Sequence, residues 1–184
     1  TSFEDVFDKS KIVSYNTQKY AYLFVGVAFF ANVEGIKWFV ENVMPSISGK
    51  LAIVGSGMDK YAKELSRPNV DVMGFVPSLA ECYYNTKFVV MPIFSGGGMK
   101  TKVAEALMYG KTIFASKEAL EGYELADGFG AECNTKQEYI DAINFWTNNN
   151  VTSFNNVSRQ LFEQKHSFTS SVKSLQTFFN SNAV

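Results

Sequence analysis

The amino-acid sequence predicts an α/β fold: a Rossmann-like, doubly wound parallel sheet with helices on both faces. Short, wholly apolar runs of strand length alternate along the chain with longer segments whose apolar residues recur at helical spacing. Strands that are apolar on both sides are typical of a parallel sheet covered by helices. Several of these runs end at glycine, which favours tight turns at one edge of the sheet.

The first half of the chain supplies three predicted strands, over residues 22–25, 51–54 and 70–73. Each is a short, mainly apolar run followed directly by a glycine. Helices are predicted over 33–43 and 58–65. In the first of these, apolar residues recur every three or four positions, so they share one helical face.

The second half repeats the alternation. A short helix over 79–84, a strand over 88–91, a helix over 101–109 and a strand over 112–115 are expected. Gly110 directly follows the helix over 101–109 and is expected to end it. Helices are then predicted over 136–146, 151–164 and 168–179. We expect the phenylalanines of this last part to pack on the core; the alternative is that they lie partly exposed. They are Phe154, Phe162, Phe168, Phe178 and Phe179.

Composition limits the kind of protein. The chain has 184 residues, of which 46% are hydrophobic and 15% aromatic. This length and composition are sufficient for one large domain with a packed core. Its net charge of −1 lacks the basic surplus with which proteins hold nucleic acid. No apolar run reaches the roughly 20 residues of a membrane span. Cys82 and Cys133 lie far apart, which favours buried thiols in a reducing compartment over a structural zinc site.

One glycine-rich segment has the composition of an anion site. It leads into a predicted helix and consists of Gly96, Gly97, Gly98, Met99, Lys100, Thr101 and Lys102. Glycines allow close backbone approach, and the first N–H groups of a helix concentrate positive charge on a phosphate. Glu105 faces the same side as Lys102 and can accept hydrogen bonds from sugar hydroxyls. The segment predicts a nucleotide site; the alternative is an ordinary loop with a solvated Lys102–Glu105 pair.

Other glycines follow the neighbouring strands. Gly26, Gly55, Gly57 and Gly74 all fall where predicted parallel strands end. In doubly wound sheets the ligand binds beyond these ends, where the strand order reverses. We therefore expect the glycine-bearing loops to surround one crevice.

Two further motifs and a lone histidine do not support other chemistries. The segment 55–60 begins like a dinucleotide fingerprint, but Lys60 replaces its third glycine, which argues against NAD. Gly110 and the following Lys111 and Thr112 lack the preceding glycine of a phosphate loop and are interpreted as a helix stop.

His166 is the only histidine and is expected at the surface or at a helix end. No His, Asp and Glu spacing suggests a catalytic metal.

Taken in order, the segments 24–26, 32–39, 53–57, 69–76 and 96–110 resemble the C-terminal donor-binding domain of a GT-B glycosyltransferase. The resemblance covers residues 20–148. It is closest to the retaining, group-4-like branch of the group 1 glycosyltransferases. That branch carries a Gly-x-Gly-x-Lys-x-Lys-x-x-Glu-Ala stretch, here residues 96–106.

The resemblance implies a role for each site residue. The start of the helix at Gly98, with Lys100 or Lys102, would meet the diphosphate of a UDP- or GDP-linked sugar, and Glu105 would hold the ribose. Gly74, Phe75 and Val76 would pack on the nucleobase, and Gly55 and Gly57 would line the base and ribose side. Lys102 and Glu105 are thus the candidate catalytic residues. The donor-binding candidates are Gly26, Gly55, Gly57, Gly74, Phe75, Val76, Gly96, Gly97, Gly98, Met99, Lys100 and Thr101. Positive charge at a departing diphosphate would serve without a metal or other cofactor.

The implied activity is transfer of a sugar to a glycan or lipid-linked acceptor, hexosyltransferase-like, in bacterial surface polysaccharide synthesis. The implied location is cytoplasmic, either free or peripheral at the inner face of the membrane. Many relatives carry a carboxylate eight positions before their counterpart of Glu105, and Gly97 stands there in this chain. A noncatalytic nucleotide-binding or scaffold module and a GT-B nucleotide-sugar epimerase are the alternatives, although the extra acidic and histidine residues of an epimerase are not found.

The resemblance also divides the chain. Residues 1–19 are expected to be a linker or a remnant of an N-terminal domain, 20–148 the donor-binding domain and 149–184 tail helices. The start at Thr1, without initiator methionine or signal peptide, favours a portion of a longer protein. Such a portion is expected to bind donor but to lack full activity.

Overall fold

Six parallel strands form a single sheet in the computed structural model, which describes residues 2–149 and 152–181. The strands are β1 (Tyr20–Val25), β2 (Leu51–Val54), β3 (Val70–Gly74), β4 (Thr86–Met91), β5 (Thr112–Ala115) and β6 (Gly130–Glu132). Their spatial order is β3-β2-β1-β4-β5-β6, so the direction of winding reverses between β1 and β4. The predicted doubly wound sheet is confirmed, and its switch point lies between those two strands.

Seven α-helices of the described residues connect and flank the strands. They are α1 (Phe30–Asn42), α2 (Ala62–Leu65), α3 (Leu79–Tyr84), α4 (Thr101–Met108), α5 (Lys136–Asn148), α6 (Asn156–Leu161) and α7 (Phe168–Ser181). On one face α1 contacts α2, and its Phe39 meets Tyr139 of α5 edge to face. On the other, Tyr83 of α3 stacks on Tyr109 at the end of α4, and α4 contacts α6. Right-handed crossovers that leave the switch point in opposite directions put these two groups on opposite faces.

The core lies between the sheet and these helices. Every residue of β2 and of β5 is buried, as the wholly apolar strands predict. Cys133 is also buried, while Cys82 is half-buried, and both are free thiols.

Two elements before α5 differ from the sequence prediction. The predicted helix over 58–65 begins as a 3₁₀ turn, Met58–Tyr61, before α2. The strand β6 was not predicted, because its sequence Gly-Ala-Glu carries no apolar strand pattern. It pairs in parallel with β5, and Gly130 lies so close that an added Cβ would be 1.9 Å from the Ile113 carbonyl oxygen.

The C-terminal part departs further from prediction. Of the helix expected over 151–164, residue 151 lies outside the described residues, and the rest is α6 followed by a π-helical turn, Phe162–His166. His166 ends this turn, but it is buried rather than at the surface, because its ring lies against Tyr123.

The phenylalanines of this part divide into two groups. Phe162 is fully buried and Phe154 half-buried. The expectation of core packing is wrong for Phe168, Phe178 and Phe179, which are 60–66% exposed. The reason is that α7 packs mainly on the π-helical turn, and most of its described residues are exposed to solvent.

The first residues run beside this tail. Phe3 forms a parallel bridge with Ser167, and its N–H donates to the His166 carbonyl at 2.9 Å. Arg159 of α6 pairs with Asp5 and lies 4.7 Å from the ring centroid of Phe7. Within the described ranges, no helix is both long enough and apolar enough to cross a membrane.

Candidate functional site

The glycines that end the strands meet at the carboxyl edge of the sheet. The Gly26 N–H donates to the Val54 carbonyl at 2.9 Å, and the Gly55 N–H donates to the Gly74 carbonyl at 2.7 Å. An added Cβ at Gly55 would lie 2.0 Å from the Gly26 carbonyl oxygen, and φ there is +150°. Only glycine allows the first two loops to approach so closely.

A crevice of about 510 Å³ opens at this edge, between the loops that follow β1 and β4 and the start of α4. Eight of the predicted site residues line it: Gly26, Gly96, Gly97, Met99, Lys100, Thr101, Lys102 and Glu105. The crevice therefore lies at the switch point, where a doubly wound sheet binds its ligands.

The start of α4 provides partial positive charge. Lys100 occupies the N-cap position, and its side chain cannot accept a hydrogen bond from the helix. The first N–H groups of a helix lack intrahelical partners, and the helix dipole adds to their positive potential. Lys100 and Thr101 line the crevice, so this end of α4 is suited to an anion.

Lys102 brings a cationic group into the crevice. Its Nζ donates to Asn32 Oδ1 at 2.6 Å and lies 5.0 Å from the ring centroid of Phe24. Burial lowers the pKa of Lys102 to about 8, while the neighbouring Glu105 carboxylate opposes that shift. An ammonium with so little water around it can interact strongly with a phosphate.

Glu105 lies one turn along the same helix. The Tyr83 hydroxyl donates to Glu105 Oε2 at 3.3 Å. Burial raises the pKa of Glu105, and the Tyr83 hydrogen bond and the Lys102 charge partly offset the rise. The carboxylate keeps acceptor capacity toward the crevice that it lines.

Lys100 is tied down differently. Its Nζ donates to the Gly98 carbonyl at 2.7 Å and lies 3.3 Å from Glu118 Oε1. The Tyr123 hydroxyl donates to the Lys100 carbonyl at 2.9 Å, so the loop after β5 supports the glycine-rich segment.

A second, more apolar pocket of about 230 Å³ adjoins the crevice. Gly26, Gly55, Phe75 and Val76 line it, and Phe75 is 76% exposed. A flat aromatic side chain next to backbone amides is suited to stacking on a planar ring.

The remaining predicted residues do not line either pocket. Gly57 has φ +81° and lies directly before the 3₁₀ turn, and the Gly74 carbonyl accepts the bond from Gly55. Gly98 has φ +77°, and its carbonyl accepts from Lys100. These three glycines shape the loops around the site.

Some lining residues were missed by sequence reasoning. Asn32 contacts Lys102, and Phe29 and Ser95 line the crevice mouth. A signal for Asn32 was available, since it is a polar residue near the start of an otherwise apolar helix that follows Gly26. Among the described residues, no cluster of three or more His, Cys, Asp or Glu side chains could hold a metal ion.

A family model described as glycosyl transferases group 1 matches residues 19–149. No curated protein matches the chain by sequence.

Solved structures share the fold. HepE of Anabaena, in a complex with UDP and glucose, is 15% identical with a TM-score of 0.74, over 98% of this chain and 55% of HepE. The pneumococcal O-GlcNAc transferase GtfA, in a complex with UDP and GlcNAc, is 14% identical with a TM-score of 0.69, over 100% of this chain and 39% of GtfA. The C-terminal domain of the group 1 glycosyl transferase LpcC from Francisella tularensis is 12% identical with a TM-score of 0.58, over 80% of this chain and 87% of that domain. This chain thus spans about half or less of HepE and GtfA but most of the isolated C-terminal domain.

Proposed function

Because this chain belongs to the glycosyl transferases group 1 family, we propose that it is the donor-binding half of a glycosyltransferase. The donor is a nucleoside diphosphate sugar, linked to UDP or GDP, and no metal or other cofactor takes part. The acceptor is a glycan or a lipid-linked glycan of a bacterial surface polysaccharide. The enzyme works in the cytoplasm, free or at the inner face of the membrane, and an amino-terminal domain supplies the acceptor site.

One observation carries the proposal: Lys102, Glu105 and the start of α4 line a single crevice at the switch point. The diphosphate lies against the helix start and Lys102, the ribose hydroxyls donate to Glu105, and the base lies in the pocket beside Phe75. The relatives HepE and GtfA, whose structures contain UDP, share this fold.

The chemistry follows from this placement. The bond between the anomeric carbon and the phosphate oxygen breaks, and its electron pair stays with the diphosphate. A new bond forms to the acceptor oxygen, which loses its proton. Lys102 and the helix start stabilise the negative charge that develops on the departing diphosphate.

Calorimetric titration of the chain with UDP, GDP and their sugars tests donor binding. We expect at least one to bind, and Glu105→Gln to weaken that nucleotide about tenfold or more without a matching loss for pyrophosphate, because only the nucleotide carries a ribose. Glu81→Gln, an exposed substitution on α3, is the matched control. A folded chain that binds none of the nucleotides would contradict the proposal.

A noncatalytic nucleotide-binding module is the second candidate, and Gly97 favours it because it replaces the carboxylate that many relatives carry there. Turnover by the full-length protein separates the two candidates. We expect Lys102→Ala to lower turnover by about 10²-fold, which corresponds to roughly 3 kcal/mol of transition-state stabilisation. If Lys102→Ala leaves the turnover of the full-length protein unchanged, the catalytic groups lie outside this domain, which would favour the noncatalytic module.

A further inference from the structure

The Lys102 ammonium is held by a side chain from another element. Asn32, on the first turn of α1, accepts from Lys102 Nζ through its Oδ1 at 2.6 Å. Its amide nitrogen donates to the Val27 carbonyl at 2.9 Å. The two ends of one amide group therefore join the loop after β1 to the cation of α4.

The surroundings of this cation make the amide oxygen important. The Phe24 ring lies on one side, and the charged groups that act on Lys102 are Glu105 and Lys100, with Tyr83 hydrogen-bonded to Glu105. Glu105 favours the charged ammonium, whereas Lys100 and burial disfavour it. No ion pair within 4.0 Å joins Lys102 to a carboxylate in residues 2–149 and 152–181, so Asn32 provides its closest described acceptor.

Gly26 leaves the space in which this contact forms. An added Cβ at Gly26 would lie 2.9 Å from Asn32 Cγ and 3.0 Å from Lys102 Nζ. The glycine that follows β1 therefore leaves room for the amide and the ammonium to meet beside the crevice. Its φ lies outside the left-handed region, so space rather than backbone conformation explains a glycine there.

We propose that Asn32 is a positioning residue, which fixes the Lys102 ammonium at the point where the diphosphate of the donor binds. The inference rests on the proposed function for the identity of that ligand. Asn32 acts through Lys102, and a neutral acceptor suits the role. A carboxylate in its place would neutralise the charge that the diphosphate needs, while an apolar group would leave the buried ammonium without its acceptor.

Two substitutions of similar size separate this role from a purely structural one. Asn32→Leu and Asn32→Asp both lose the bond to the Val27 carbonyl, but only Asn32→Asp keeps an oxygen toward Lys102. If Asn32 merely anchors the loop, the pKa of Lys102 does not fall in Asn32→Leu, and both variants weaken binding to the same extent through the loop. If it positions the ammonium, the pKa of Lys102 falls in Asn32→Leu and rises in Asn32→Asp.

The first measurement needs no ligand. The chain is labelled with [ε-¹³C]lysine, and Lys102→Arg identifies the Lys102 signal. We expect its titration midpoint to move down in Asn32→Leu and up in Asn32→Asp, with thermal melting showing that both variants fold. Midpoints that stay unchanged, or that move in the same direction, would overturn the proposal.

The second measurement concerns UDP and GDP binding between pH 6 and 10. In the wild-type chain the affinity falls as Lys102 loses its proton above about pH 8. At pH 7 we expect Asn32→Leu to bind about tenfold more weakly and its alkaline limit to move to lower pH. Asn32→Asp should also bind more weakly, but its alkaline limit should move to higher pH.

The outcomes distinguish the two proposals. A wild-type chain that binds neither nucleotide counts against the proposed function, while the lysine titration still decides whether Asn32 controls Lys102. A chain that binds nucleotide with the same affinity and pH profile in all three forms overturns the role of Asn32 alone.

Discussion

At the scale of single residues, Lys102 and Lys111 lie at opposite edges of the sheet. Lys102 faces the candidate site, whereas Lys111, directly before β5, lies at the amino edge and is only 2% exposed. The Lys111 ammonium donates to the Thr86 carbonyl at 2.8 Å and to the Ser153 carbonyl at 3.3 Å. Neutral carbonyls satisfy its hydrogen bonds but do not balance its charge.

We expect Lys111 to make stability rise with pH. Burial lowers its pKa from 10.5 to about 7, so above pH 7 the unfolded chain binds more protons than the folded one. The unfolding free energy of the wild type minus that of Lys111→Met should increase by about 2 kcal/mol between pH 7 and 9. Urea unfolding at both pH values measures this difference, and exposed Lys136→Met should leave it constant. A difference independent of pH for Lys111→Met would show that the folded protein keeps this lysine charged.

Two glycines with opposite surroundings give a matched pair of substitutions. In Gly35→Ala the new Cβ would lie 1.7 Å from the Pro92 carbonyl oxygen, so α1 would have to move away from the end of β4. We expect a loss of about 1–3 kcal/mol or more in unfolding free energy. At Gly97 no atom lies within 4 Å of an added Cβ, and Gly97→Ala should change stability by less than about 0.5 kcal/mol. Equal effects in urea unfolding would contradict this account.

The placement of site residues could be predicted where those residues lie close together in the sequence. Lys102 and Glu105 share a helical face and do line one crevice, as their separation predicts. The ammonium bonds to Asn32, however, 70 positions away in the chain. Its partner depends on how α1 and α4 meet, and spacing within one helix carries no information on that.

At the scale of elements, the strands most clearly predicted are those buried on both faces. The bounds of β2 and β5 agree with prediction because every residue in them is apolar or buried. The edge strand β6 has only three residues and gains its order from pairing with β5, so its own sequence could not reveal it.

The start of α5 allows a test of helix capping. The Thr135 hydroxyl accepts from the Glu138 N–H at 3.3 Å, and the Glu138 carboxylate accepts from the Thr135 N–H at 2.9 Å. Thr135→Ala should lower the unfolding free energy by about 1 kcal/mol, because it leaves a first-turn N–H without its acceptor. Thr147→Ala, exposed near the end of the same helix, is the control and should be neutral or slightly stabilising. Urea midpoints compare the two, and an equal loss in both would exclude capping as the cause.

At the scale of the whole molecule, Arg159 connects three parts of the chain. It pairs with Asp5 near the start, with Glu163 at 2.8 Å in the π-helical turn, and with the Met108 carbonyl at 2.8 Å at the end of α4. Burial alone would raise the pKa of Asp5, but hydrogen bonds from Arg159 and from the Phe7 N–H hold it below its usual value. The sequence gives no sign of this junction, since the pairing of residues 5 and 159 depends on the complete fold.

We expect Arg159→Leu to release the first segment from the domain. Trypsin should then cut at Lys9 or Lys11 several times faster, as followed by mass spectrometry, because the segment loses its partly buried ion pair. Lys165→Leu removes only the surface pair with Glu124 and should leave the cutting rate unchanged. Equal rates for all three proteins would mean that Phe7 and its aromatic neighbours alone hold the segment.

The bridge between Phe3 and Ser167 places the first described residues beside the start of α7. A domain whose first residues lie beside the start of its last helix can be inserted into a surface loop of another protein, with that helix as part of the outgoing connection. Its crevice would open at the carboxyl edge of the sheet. Such an insertion would add the candidate nucleotide-binding crevice to another protein.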